Sequence, residues 1–201
     1  MLPRVKPGLV AVAVVALALI VSLGWFVSVG NDLVAREQTV RESWAQVQNV
    51  YQRRADLIPN LVETVKGFAA QERTVLEEVT RARASVAGMQ VTPEILRDPE
   101  ALRKFQAAQA ELGGALGRLL AVVERYPDLK SNQNFLALQS QLEGTENRIV
   151  VERRRYNEAV RDYNTAIRRF PRSLVASLRG FSERSFFEAT PGSEAAPAIK
   201  L

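Results

Sequence analysis

The chain has 201 residues, 47% of them hydrophobic and 24% charged, carries a formal net charge of +5, and contains neither cysteine nor histidine. That balance suits a folded chain with a wet surface rather than a disordered one. It excludes disulfides, thiolate nucleophiles and cysteine-ligated metal centres, and it removes the imidazole most used for metal ligation and for proton transfer near neutral pH.

After a short flank, residues 1–7, the run from Gly8 to Val29 has no charged residue. At 1.5 Å per residue it makes a helix of about 33 Å, enough to cross the hydrocarbon of a bilayer. Trp25 and Phe26 stand near its end, where aromatic residues favour the interface. The run exceeds the apolar core of a cleaved signal, and no small-residue cleavage site follows it, so it predicts a permanent anchor. Arg4 and Lys6 before the span balance Arg36 and Arg41 after it; Asp32, Glu37 and Glu42 favour the amino terminus inside and the remainder outside.

From Val40 onward Trp44, Val47, Tyr51, Arg54, Ile58, Leu61, Val65, Phe68, Glu72, Val75, Val79, Ala82 and Val86 alternate three and four apart. This is a coiled-coil-like seam. Pro59 falls inside it, but the phase survives, which predicts one helix from Asn31 to about Gly88 with a kink rather than a reversal. Gly88, Pro93 and Pro99 mark a loop. A second helix shows Leu102, Phe105, Gln109, Leu112, Leu116, Leu119, Val123 and Tyr126 in phase and ends before Pro127. The third runs from about Asn132 to Phe170, with Pro171 as its stop. A shorter apolar segment, Leu174 to Phe187, reads as a last helix, and residues 188–201 read as a tail. The fold class is therefore all-α: a transmembrane helix over residues 8–29 continuing into a long antiparallel bundle over residues 31–187, with three long helices and a short C-terminal one. Matching lengths predicts an up-down-up order, with the first turns of helix one left as a stalk.

The strings NDLVAREQTVRESWAQVQNVYQRRADLIPNLVETVKGFAAQE, YNTAIRRFP and GFSERSFFEA, in this order, resemble the LemA family from Asn31 to the C-terminus. The resemblance implies a small bacterial membrane protein with a mostly helical domain and no established enzymatic activity, and a magnetosome-associated relative points to membrane organisation. A histidine often found in the family's first long motif, just before the glutamate, is Gln71 here.

Three groups of residues stand out. Arg53, Arg54, Asp56, Pro59 and Asn60 cluster at the proline, either as a partner surface or, the reading favoured here, as polar groups that satisfy the carbonyl a proline releases. Leu33, Val40 and Trp44 form a stripe on the stalk suited to self-association. Arg179, Phe181, Arg184, Phe186 and Phe187 make a basic and aromatic segment suited either to lipid or, the reading favoured here, to burial against the bundle. Arg54, Glu72 and Glu152 sit at seam positions where charges set register more often than they perform chemistry. Arg153, Arg154, Arg155, Arg168, Arg169 and Arg172 give the one basic concentration, for which lipid headgroups are the natural target. Adjacent Glu77 and Glu78 point about 100° apart on a helix and do not converge as an acid/base pair. No nucleophile–base pair, cofactor motif or nucleic-acid module is present, and the basic balance alone does not make one. The expectation is a non-enzymatic scaffold in the bacterial inner membrane, with the bilayer and a membrane-protein partner or a second copy as its partners. The alternative is a lipid-binding, membrane-shaping role for the C-terminal segment.

Overall fold

The computed structural model describes residues 7–89 and 92–188. The flank before Pro7 and almost all of the tail assigned to residues 188–201 lie outside the described residues. Among the described residues the fold is all-α, and a long apolar N-terminal helix runs directly into an antiparallel bundle. The helices are α1 (Pro7–Phe68), α2 (Arg73–Ala87), α3 (Pro99–Val123), α4 (Pro127–Lys130), α5 (Gln133–Arg168) and α6 (Arg172–Leu178), with a 3₁₀ turn at Pro93–Arg97.

The first turns of α1, apolar from Gly8, are long and apolar enough to cross a membrane. Their side chains are exposed as far as Trp25, whereas Val29, Leu33, Val40 and Val47 are buried in the bundle. The helix is unbroken through Pro59, as its seam predicts. It does not continue to Gly88. The chain reverses between Phe68 and Arg73, held by the Ala69 N–H on the Val65 carbonyl (2.8 Å) and the Glu72 N–H on the Ala69 carbonyl (3.0 Å). Arg83 then lies back beside Ala55. The turn itself departs from the seam, with Ala69 and Leu76 buried where Phe68 and Val75 were expected, but α2 regains it at Val79 and Ala82, which hid the turn.

The extra reversal changes every later direction. Counting from the apolar end, α1 rises, α2 descends, α3 rises and α5 descends, so the order is up-down-up-down rather than up-down-up. Arg118 of α3 meets Glu78 of α2, Phe105 of α3 meets Trp44 of α1, and Arg172, just beyond α5, meets Asp32 near the base of α1. Side chains cap two of the helices: Asp98 accepts from the Glu100 and Ala101 N–H groups ahead of Pro99, and Asn132 accepts from the Phe135 N–H.

The C-terminal segment is not one helix from Leu174 to Phe187. After Leu178, Gly180 takes φ +72°. The Phe181 N–H bonds the Ala176 carbonyl and the Gly180 N–H bonds that of Ser177, the left-handed stop that favours glycine. Residues 181–188 then run extended along α5. Asn164 both donates to the Arg184 carbonyl (2.9 Å) and accepts from its N–H (3.0 Å), and Asn157 does the same for Phe187. Tyr163 and Tyr156 donate to the carbonyls of Ser182 and Ser185. The two Tyr-Asn pairs are one heptad apart, about 10.5 Å of helix, and their partners are three residues apart, about 10 Å of extended chain. Spacing alone thus explains how a helix can hold a strap.

Candidate functional site

Arg54 lies at the middle of the bundle. On the apolar-end side of it Trp44, Tyr51, Phe105, Ile149 and Tyr156 form one hydrophobic cluster; beyond it Ile58, Leu61, Leu112, Leu116 and Leu142 form another. Arg54, Gln109 and Thr145, all buried, make a polar layer between the two. The guanidinium donates to Glu146 (3.0 Å), to the Gln109 carbonyl (3.3 Å) and to the Gln109 side chain, and it stacks 5.2 Å from the Tyr51 ring centroid. One residue thereby ties α1 to both α3 and α5, the register role that its seam position suggests.

The rest of the proline motif points elsewhere. Arg53, Asp56, Pro59 and Asn60 are exposed. Asp56 accepts from Gln52, and the Asn60 carbonyl accepts from Thr64. None of them takes the Ala55 carbonyl that Pro59 leaves without its helical partner. Arg83, brought back by α2, donates to it at 3.0 Å. The expectation that neighbours of the proline satisfy this group is corrected accordingly; the donor stands 28 positions away and is visible only once the reversal is known.

A cleft of about 440 Å³ opens over the polar layer between α3 and α5, lined among others by Tyr51, Arg54, Arg103, Gln106, Glu146 and Arg153. A second, of about 470 Å³, adjoins it where Gly113 and Gly117 face Glu143 and Asn147. Among the described residues Arg54 Nε and Gln106 Nε2, at the first cleft, are buried without an acceptor. Burial raises the Tyr51 phenol above its ordinary range, against the pull of Arg153 and Arg54, so the hydroxyl stays protonated. The groove offers donors and small side chains against exposed Val150.

The stalk stripe is not free. Leu33 and Val40 are 0% exposed and Trp44 is 2% exposed. Phe105, Tyr156 and Phe187 surround the indole at centroid distances of 5.6–5.8 Å. The returning α5 and the strap cover these residues, so they are core rather than a self-association surface. The lipid set is divided. Arg184 and Phe187 are buried, Phe181 is half-buried, and Arg179 and Phe186 are exposed. Arg184 reaches across to Glu37 at 2.6 Å. Burial works against ionisation of Glu37, but the bonds from Arg184 and Arg41 outweigh it and hold the carboxyl below the usual carboxylate range. Of the basic concentration, Arg154, Arg155 and Arg168 pair with Glu158, Glu152 and Glu183, and Arg153 donates to the Glu188 carbonyl.

Glu72 is not on a continuing seam but at the turn before α2, where Tyr126 (2.9 Å) and Arg125 (3.0 Å) donate to it and Gln71 donates to the Tyr126 hydroxyl. Gln71 thus takes part in the network at the far tip of the bundle. Among the described residues no group of three or more carboxylates is placed to hold a metal ion. Sequence reasoning missed the strap, Arg83, and the exposure of Phe170, Leu174 and Leu178; the repeated Tyr-Asn pair was the one available signal for the first.

The model of the LemA family matches residues 43–201. Over 180 residues the chain is 26% identical to the magnetosome protein MamQ of Magnetospirillum gryphiswaldense and 27% identical to the magnetosome protein MamQ 2 of Paramagnetospirillum magneticum. Each match covers 82% of this chain and 66% of the relative, so the chain spans slightly less than two thirds of the length of these curated relatives. The matched region takes in the buried face of α1 from Trp44, the paired helices α2 and α3, the Tyr-Asn pairs of α5 and the strap. The chain belongs to the LemA family.

Proposed function

We propose that this protein is a non-enzymatic scaffold, anchored in a bacterial inner membrane by the first turns of α1 and acting by association with another membrane protein or a second copy. The observation that carries this reading is the continuity of α1. An apolar, exposed run becomes the central core helix without a break, so an anchor in the bilayer would fix the height and direction of everything packed on it. Membership of the LemA family and the likeness to two magnetosome proteins support a place at a membrane. The α3–α5 groove is the recognition surface we favour, because it combines the accessible guanidiniums of Arg103 and Arg153 with small residues on which another chain can lie close. The acidic Asp32, Glu37 and Glu42 just after the apolar run support a reading in which the bundle lies on the outer side of the membrane.

Retention in the membrane pellet through alkaline carbonate washing, together with protease access to the bundle only from outside, is the expected result for the anchor and its direction. Photo-crosslinking residues at Ala110, Gly117 and Val150 in the groove should give adducts in native membranes, while one at Asn60 on the exposed proline face should not. Adducts at Asn60 alone would move the partner surface to that face.

A further inference from the structure

One end of the bundle leaves three large apolar residues uncovered. α6 packs Val175 and Ala176 into the cluster that holds Val29 and Leu33. Arg172 binds Asp32 at 2.7 Å, and the Arg179 guanidinium lies so close to Gly30 that a Cβ there would collide with it. α6 therefore sits beside residues 29–33 of α1, the level at which the apolar run ends. On its other side Leu174 and Leu178, one turn apart, are 56% and 77% exposed, and Phe170 is 80% exposed. α5 and α1 occupy two sides of this short helix, and these three residues face away from both.

Next to them an open cleft of about 490 Å³ is lined by Arg36, Arg161, Arg169 and Arg172, with Asp162, Thr165 and Ala166. Arg36 and Arg172 share Asp32, and Arg161 pairs with Asp162. Arg169 has no ion pair among the described residues. Four guanidiniums against two carboxylates leave a positive excess, and it lies within about 10 Å of the end of the apolar run along α1.

We propose that α6 is an interfacial foot: Phe170, Leu174 and Leu178 enter the boundary between headgroups and acyl chains, and the arginine cleft holds the phosphate of an anionic phospholipid. The inference rests on the reading that α1 spans the bilayer. An amphipathic helix lies in the interface with its apolar side about 5–10 Å deep, and arginines beside it reach phosphates while their stems stay in apolar surroundings. The residues involved differ from the aromatic segment that the sequence suggests, of which Phe187 and Arg184 are core.

The chain has no cysteine, so single-cysteine variants Leu174→Cys, Leu178→Cys and, as a remote exposed control, Asn60→Cys can each carry an environment-sensitive dye in the full-length protein. The protein is reconstituted in vesicles of phosphatidylcholine, with or without phosphatidylglycerol, that contain nitroxide lipids. Blue-shifted emission and quenching by shallow-acyl nitroxides at 174 and 178 but not at 60, increased by phosphatidylglycerol, is the expected result. Arg161→Gln combined with Arg169→Gln should abolish the phosphatidylglycerol increment without changing vesicle flotation or helicity. Emission at 178 as solvent-like as at 60, in protein that floats with the vesicles, overturns the foot while leaving the anchor standing; protein that fails to float overturns the anchor itself. Quenching that is the same in both lipids overturns the phosphate cleft. A blue shift without nitroxide quenching assigns the face to a second protein chain and likewise overturns the proposal.

Discussion

Arg83 Nε donates to the Ala55 carbonyl at 3.0 Å, the acceptor that the residue at position 59 would have used had it not been proline. The two features are therefore coupled across two helices. Arg83→Ala should destabilise the protein by about 1 kcal/mol, the usual worth of such a bond. In a Pro59→Ala background the same change should cost less, because the restored N–H takes the carbonyl. Pro59→Ala alone is expected to stabilise the protein or leave it nearly unchanged. A double-mutant cycle from thermal melts of the full chain in detergent measures the coupling, and strictly additive effects would separate Arg83 from the proline.

Asn157 and Asn164 each satisfy both backbone groups of one strap residue. Replacing either with alanine strands a buried or half-buried donor and acceptor together, for an expected loss of about 2–3 kcal/mol. Hydrogen exchange resolves the outcome: Asn164→Ala should release the amide of Arg184 and Asn157→Ala that of Phe187, while the amides of α2 and α3 remain protected.

Trp44 packs among Phe105, Tyr156 and Phe187, so Trp44→Ala should cost about 3–5 kcal/mol. In a Trp25→Phe variant the remaining indole is a reporter of this core. Its emission should be blue-shifted and shielded from acrylamide, and Phe187→Ala should expose it by loosening the strap. An indole that acrylamide quenches freely in the otherwise intact protein would return Trp44 to the stalk.

Asp32 and Glu37 fasten α6 and the strap to α1. The hydrogen bond from Arg36 holds the Asp32 carboxyl below its ordinary range, against partial desolvation and with help from Arg172; Glu37 is lowered too. A depressed folded pKa gives stability that is present above the unfolded value and is lost as pH falls through the folded one. The attachments should thus be constant across neutral pH and loosen only below about pH 4, where ordinary carboxylates protonate. Exchange at residues 181–187, followed from pH 7 to pH 3, checks this. Glu37→Gln should loosen the strap already at neutral pH, because it removes the anion facing the buried Arg184.

The residue pattern by itself determined the apolar run, the all-helical class, the continuity of α1 through Pro59 and the extents of α3 and α5, since each depends on local periodicity and on bounding prolines such as Pro99, Pro127 and Pro171. The tertiary structure decided the rest. The reversal after Phe68 is silent in sequence because its residues need no positive φ, Ala69 is buried within the turn, and α2 rejoins the seam at Val79 and Ala82. That hidden turn sets the direction of every later helix. It brings Arg83 to Ala55, returns α5 and α6 to the end where α1 is apolar, and so turns Leu33, Val40 and Trp44 from a stripe into a core while leaving Phe170, Leu174 and Leu178 outside. Burial depends on which surfaces meet, and a helix carries its apolar stripe whichever way the chain runs.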